Sequence, residues 1–518
     1  MKLWSLTLAG LTFGAAAVGC GSGGGGGGDN TPAAITIVAG NRQDAEVGTK
    51  VPIDPVARVT NAAGEPLEGV NVIFAVVAGG GSVAEPRTVT NSDGEATPGS
   101  WTLGSEPGTN TLTASTNGLL TIFRAVGTVP GPVAIDIREG NDQTGRLEQD
   151  LPIDPRVVVV DEDGDPFAGE TVTFTPPGGS GTVGTASVVT DENGEASTTW
   201  ALGQTGTNLM EATAGQLTAT FFAIGTDSDY EVEIVFLNPE TTISQKNAFG
   251  SAAGRWMEVV TGDLTDVMFP SGIDATLCGV DDPSSALRTV VDDLLLYASL
   301  VPIDGPGGTI GAAFPCFIRA ALPDAPLTIV GVAQFDTSDL GLLEGLGLLD
   351  DVILHEMAHV LGFGGLWSQD PLDFLQSPSL PNDPGADTHF NGPNAVAAFD
   401  DLPGGPWIPP TSATSRVPVE NTEGDFGERD NHWRESTFVS ELMTPFISPV
   451  SNPLSTVTIE SLRDLGYEVD ITQADPYSLE GENGQPRLQS GFLLLDDVLR
   501  MPMHLVDAKG NIVGVTDP

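Results

Sequence analysis

Between residues 33 and 226, apolar and polar positions alternate in short runs, and each run stops at a turn rich in Gly, Asn or Asp. A period of two places every second side chain on one face of a β-strand. Residues 70–76 and 170–175 are the clearest strands, each directly after a Gly-containing turn. The pattern returns after about one hundred residues. Val51-Pro-Ile-Asp-Pro55 recurs as Leu151-Pro-Ile-Asp-Pro155, Asp93-Gly-Glu-Ala96 as Asn193-Gly-Glu-Ala196, and Trp101-Thr-Leu-Gly104 as Trp200-Ala-Leu-Gly203. Two copies of a short-stranded unit predict two all-β sandwiches, over 33–128 and 129–226. Asp161-Glu-Asp-Gly-Asp165 lacks the 12-residue spacing of a calcium loop, so it reads as a turn.

The pattern changes after Gly225. Residues 230–237 alternate as a strand, and 244–260 predict a helix capped by Ser244. Residues 294–297 are apolar but too short to assign. Residues 327–335 predict a strand and 348–361 a helix ended by Gly362. Strands and helices in alternation predict a mixed α/β (α+β) domain over 228–470. Residues 471–518 read as a small C-terminal extension, with a hairpin around Lys509-Gly-Asn511. The strand just before the second helix is a candidate edge for holding an extended peptide.

The second predicted helix carries His355-Glu356-x-x-His359. Residues four apart share one helix face, so both imidazoles can reach one metal ion, with Glu356 beside them. Catalytic zinc needs three protein ligands and an open position. The histidines His389, His432 and His504, and the acids Asp370 and Glu435, all stand as candidates for the third.

Two resemblances extend this reading. The repeat over 33–226 resembles the bacterial Ig-like domains of invasin-type surface proteins, which implies a stalk or adhesive module. Asn431-His-Trp-Arg-Glu-Ser-Thr-Phe-Val-Ser-Glu-Leu-Met-Thr-Pro445 resembles the stretch of leishmanolysin-type metallopeptidases that carries a distant third ligand and the Met-turn. Ser455-Thr-Val-Thr-Ile-Glu-Ser-Leu-Arg-Asp-Leu-Gly-Tyr467 resembles the helix that follows it. The resemblance implies a metzincin-like fold with Zn2+ on His355, His359 and His432, Glu356 as catalytic base, and Met443 beneath the metal. Its substrates would be proteins or peptides. Protozoan members of that family are held latent by a pro-region cysteine. No cysteine stands between Cys20 and the catalytic region here, so that form of latency is not expected.

Composition bounds the setting. Seventy acidic against 20 basic residues give a net charge of −50. Such a field repels phosphate backbones and excludes nucleic acid as a partner. Residues 1–20 read as an export signal ending Ala17-Val18-Gly19-Cys20, which resembles a bacterial lipobox with Cys20 as the lipidated residue. Residues 21–32 follow as a Gly-rich tether. These features predict an exported protein attached to the cell envelope, at the outer membrane or cell surface, by a lipid anchor. Cys278 and Cys316 are the remaining cysteines, and an even pair in an exported chain favours a disulfide. The function predicted is that of a zinc endopeptidase. The rival reading is an adhesin or matrix-binding surface protein whose peptidase domain is degenerate.

Overall fold

A computed structural model describes residues 30–282, 288–320, 326–379, 387–403, 416–422, 429–479 and 491–516. Cys20 and the export segment lie outside these residues. The chain forms two compact units, 1–131 and 132–518.

The first unit is a β-sandwich. Ala34–Ala39, Val56–Thr60 and Glu95–Ala96 make one sheet. Gln43–Glu46, Leu119–Thr128, Gly108–Thr116, Asn71–Ala78 and Arg87–Val89 make the other, in that order. Val59, Val72, Phe74, Trp101, Leu112 and Phe123 fill the space between. The turns are made by side chains that replace backbone partners. Asn61 Oδ1 accepts from the amides of Ala63 and Glu65, at 3.0 and 2.9 Å.

The second copy repeats the topology strand for strand. Asp161 accepts from the amides of Asp163 and Asp165 at 3.1 and 3.0 Å, so its carboxylate serves the turn. One face differs. In the first copy Arg124 and Val126 point outward and are exposed. Phe222 and Ile224 take the equivalent register positions in the second copy and are buried. They belong to the core of the domain that follows.

That domain is built on a six-stranded sheet. Its strands are β1 (Val232–Phe236), β2 (Leu294–Val301), β3 (Gly311–Arg319) and β4 (Thr328–Asp336), joined later by β7 (His504–Val506) and β8 (Ile512–Val515). Two short strands, β5 (Phe446–Ile447) and β6 (Phe492–Leu493), pair apart from it. The sheet order is β1-β2-β4-β3-β7-β8. Both faces of β2 are buried, which is why its sequence shows an unbroken apolar run rather than alternation. The helices are α1 (Ile243–Val259), α2 (Thr337–Leu346), α3 (Leu349–Val360), α4 (Pro393–Asp401), α5 (Glu435–Phe438) and α6 (Thr456–Leu465).

Helix α1 begins one residue before the predicted start. Thr242, not Ser244, is its cap, because Thr242 and Gln245 form a reciprocal capping box. α1 also joins the second sandwich to α3. A Cβ on Gly254 would lie 2.6 Å from Gly206 Cα, so the helix approaches the strand as only glycine permits. Lys246 Nζ meets Asp142 at 2.6 Å, and the Trp256 indole donates to the Leu354 carbonyl of α3 at 3.0 Å.

Two expectations need correction. Strand β4 is not an edge: it lies between β2 and β3, and β3 is the strand next to the last-arriving segment. The hairpin around Lys509-Gly-Asn511 does form, as antiparallel β7 and β8, but it is not a separate unit. β7 pairs in parallel with β3 through Phe317, Ile318 and Arg319, because β3 would otherwise leave ladder groups unpaired.

Cys278 and Cys316 form a disulfide linking the turn after Ala275 to β3 across 38 residues. Replacing both with Ser should cost about 4 kcal/mol by the chain-entropy relation for a loop of this length. A urea melt of the full chain should show the transition of the larger unit moving to lower urea by the corresponding amount, with the transition of residues 30–131 unmoved.

Candidate metal centre

Helix α3 places His355 and His359 one turn apart on a buried face. Gly362, at φ +104°, ends the helix, as its sequence predicts. The chain then turns so sharply that the Phe363 carbonyl accepts from His359 Nδ1 at 3.0 Å. Gly364 follows at φ +77°, and a Cβ there would lie 2.6 Å from the Asn431 carbonyl oxygen. That close approach sets the loop carrying His432 against the end of α3.

The same loop is held from two further sides. The Glu420 amide donates to the His432 carbonyl at 2.8 Å, and the Trp433 amide to the Met443 carbonyl at 2.9 Å. The Trp433 ring packs among Phe363, Trp367, Phe390 and Phe438, with its indole donating to Thr458 Oγ1 at 2.8 Å. Met443 is fully buried in the turn between α5 and α6. Glu441 braces this turn: it accepts from the Met443 amide at 2.6 Å and from the Ser455 amide and hydroxyl at 3.0 and 2.7 Å. Burial pushes the Glu441 carboxyl up, and these hydrogen bonds draw it back. Leu442, beside Met443, offers its carbonyl to His355 Nδ1 at 2.6 Å.

The outcome is a triangle of ring nitrogens. Nε2 of His355, His359 and His432 are 3.1 Å from one another in every pairing. Carbonyl acceptors on Nδ1 of His355 and His359 fix the proton there and leave Nε2 with a lone pair. Burial holds both imidazoles below their ordinary pKa, so they stay neutral and ligating. Ring nitrogens that present lone pairs to one another at this separation repel unless a cation lies between them. A triangle of this size has corners about 1.8 Å from its centre, within the Zn–N bond of about 2.0–2.1 Å, so one zinc ion can reach all three. The donor set therefore fits zinc.

Glu356 lies beside the triangle, fully buried, and neither carboxylate oxygen has a hydrogen-bond partner among the described residues. Burial raises its pKa well above the usual carboxylate range, and the Asp497 charge adds to this. Gly311, which opens β3, leaves space for it: a Cβ there would lie 3.1 Å from Glu356 Cγ.

The other candidates stand elsewhere. His389 pairs with Pro418 in a small sheet and its ring contacts the Asp387 carbonyl at 2.7 Å. His504 lies on β7 against Phe317, Asp370 is exposed, and Glu435 is buried in α5. None joins the cluster. One residue that does join it was missed. Asp497 is fully buried with Oδ2 2.9 Å from His432 Nε2, 3.3 Å from His355 Nε2 and 4.0 Å from His359 Nε2. Burial opposes its charge, but the imidazoles outweigh that and hold its carboxyl below the ordinary range. No spacing links it to the helix motif. Its one signal was an acidic pair, Asp496-Asp497, set inside the apolar run from Phe492 to Leu499.

Residues 267–480 match the leishmanolysin family model of the M8 peptidases. No curated protein matches the chain. Solved structures similar to the N-terminal region include the bacterial integrin-binding protein invasin, at 16% identity and TM-score 0.25, covering 38% of this chain and 40% of that one. The Yersinia pseudotuberculosis adhesin InvE matches at 19% identity and TM-score 0.24, over 39% of this chain and 62% of that one. The D0-D1 domain of intimin matches at 21% identity and TM-score 0.17, over 36% and 94%. The chain thus spans less than two thirds of the length of invasin and of InvE.

Replacing Gly364 with Ala should push the His432 loop off the end of α3. Chelator competition should then show zinc held at least ten-fold more weakly. His432→Ala should likewise lower the zinc content of the purified protein, while His389→Ala should leave it at the wild-type value; the opposite ranking would put the third ligand elsewhere.

Proposed function

We propose that this chain is a zinc-dependent endopeptidase of the cell envelope. The single observation that supports this most is the triangle of buried imidazole nitrogens with an unpartnered carboxylate beside it. His355, His359 and His432 would hold the ion, with Met443 in the turn that supports them. When bound, zinc supplies Lewis acidity, lowering the pKa of water from about 15.7 toward about 7 and polarising the scissile carbonyl.

The chain's own groups do the rest. Glu356 takes a proton from the nucleophilic water and passes it to the leaving amine. Burial raises its pKa, and the adjacent cation would favour the ionised form that a base needs. His355 and His359 would not compete for that proton, because carbonyls hold the protons on their Nδ1 atoms and the ion would take their Nε2 lone pairs. The part of β3 before Phe317, outside its ladder with β7, would offer backbone groups to an extended substrate, so selectivity would come from side-chain pockets along it. The match of residues 267–480 to a peptidase family supports protein or peptide substrates.

Anchoring through Cys20 is supported by the sequence Ala17-Val18-Gly19-Cys20 and the Gly-rich tether after it. No helix among the described residues is long and apolar enough to cross a membrane.

Casein cleavage by the purified chain should stop with a chelator and return with zinc. Glu356→Gln should keep zinc at wild-type stoichiometry while kcat/KM falls by about 10²–10⁴-fold, the range of a general base. Full activity in that variant would remove Glu356 from the chemistry.

A further inference from the structure

Asp497 does not reach the histidines alone; it is carried there by a strap of chain that crosses the cleft. The strap starts at β6, where Phe492 and Leu493 pair antiparallel with Ile447 and Phe446, just past the turn that holds Met443. The Leu494 amide donates to the Pro445 carbonyl at 2.9 Å, and its side chain is buried. Asp496 then adopts φ +51°, a left-handed turn that acidic side chains tolerate better than most. Next comes Asp497, with its carboxylate over the three Nε2 atoms. Immediately beyond, the strap reaches the opposite wall. The Ala313 amide of β3 donates to the Asp497 carbonyl at 2.8 Å, and the Leu499 amide to the Ala313 carbonyl at 3.2 Å. Residues 498–501 continue along the wall lined by Phe314, Pro315 and Gly364.

We propose that residues 491–506 are an autoinhibitory strap in which Asp497 takes the fourth coordination position of the metal. The inference rests on the metallopeptidase reading above. Three protein ligands leave a catalytic zinc one open position, and a fourth protein ligand closes it. The strap also takes the backbone groups of Ala313 on β3, the edge an extended substrate would use. It blocks both the ion and the binding edge. Asp497 lies beyond the residues that match the peptidase family, 267–480, so the device belongs to this chain's own terminal segment. Activity then requires the strap to leave, by displacement or by cleavage.

Asp497→Asn keeps the side chain's shape and weakens it as a ligand, so it is the principal test, made in the full chain loaded with Co(II). The visible spectrum of the variant should differ from that of the parent, and acetohydroxamate should bind at least ten-fold more tightly. Casein cleavage should rise at least ten-fold. Leu494→Ala loosens the strap without touching the carboxylate and should strengthen acetohydroxamate binding as well. Unchanged spectra and affinities overturn the proposal, as does unchanged acetohydroxamate binding in Leu494→Ala. Loss of Co(II) from Asp497→Asn also overturns it, because Asp497 would then be a permanent ligand of a closed site. If spectrum and affinity respond but casein stays uncut, the strap stands and the peptidase reading fails.

Discussion

The fold is organised around the mutual approach of three buried imidazole nitrogens. Neutral rings do not crowd their lone pairs together without a reason, and no hydrogen bond can satisfy all three at once. Every close contact near the site serves this approach. Gly364 admits the backbone of Asn431, the Leu442 and Phe363 carbonyls hold two ring tautomers, and Glu441 braces the turn that supplies one of those carbonyls. Such positioning groups act on the metal without touching it, by removing the freedom of the ligands that do.

The rigidity extends outward from α3. The Trp256 indole ties α1 to the Leu354 carbonyl, and α1 in turn lies against the second sandwich through Gly254 and Lys246. Phe222 and Ile224 replace the exposed Arg124 and Val126 of the first copy and turn a solvent face into an interface. The two copies thus differ where the second packs against the following domain. The two-residue difference removes a charge and adds an aromatic ring at that face.

Site polarity follows a similar economy. Two buried acids beside the histidines have opposed tendencies: burial pushes the Glu356 carboxyl up, whereas contact with the imidazoles holds that of Asp497 down. Two carboxyl groups in one pocket are thereby set apart by their surroundings.

Local pattern alone determined the repeat, the strands within it, the turn role of Asp161, the helix of His355 and His359 and its stop at Gly362, because each depends on residues a few positions apart. The resemblance around Asn431–Pro445 pointed to His432, which composition and spacing had left level with His389 and His504. Tertiary structure decided what distance in sequence concealed. It put β4 inside the sheet and β3 beside the terminal segment, since sheet order depends on pairing between distant strands. It folded that segment onto β3 and so brought Asp497 to the three clustered histidines. No periodicity could announce that contact, because a side chain reaching a site from a distant part of the chain is specified only by where the chain between them goes.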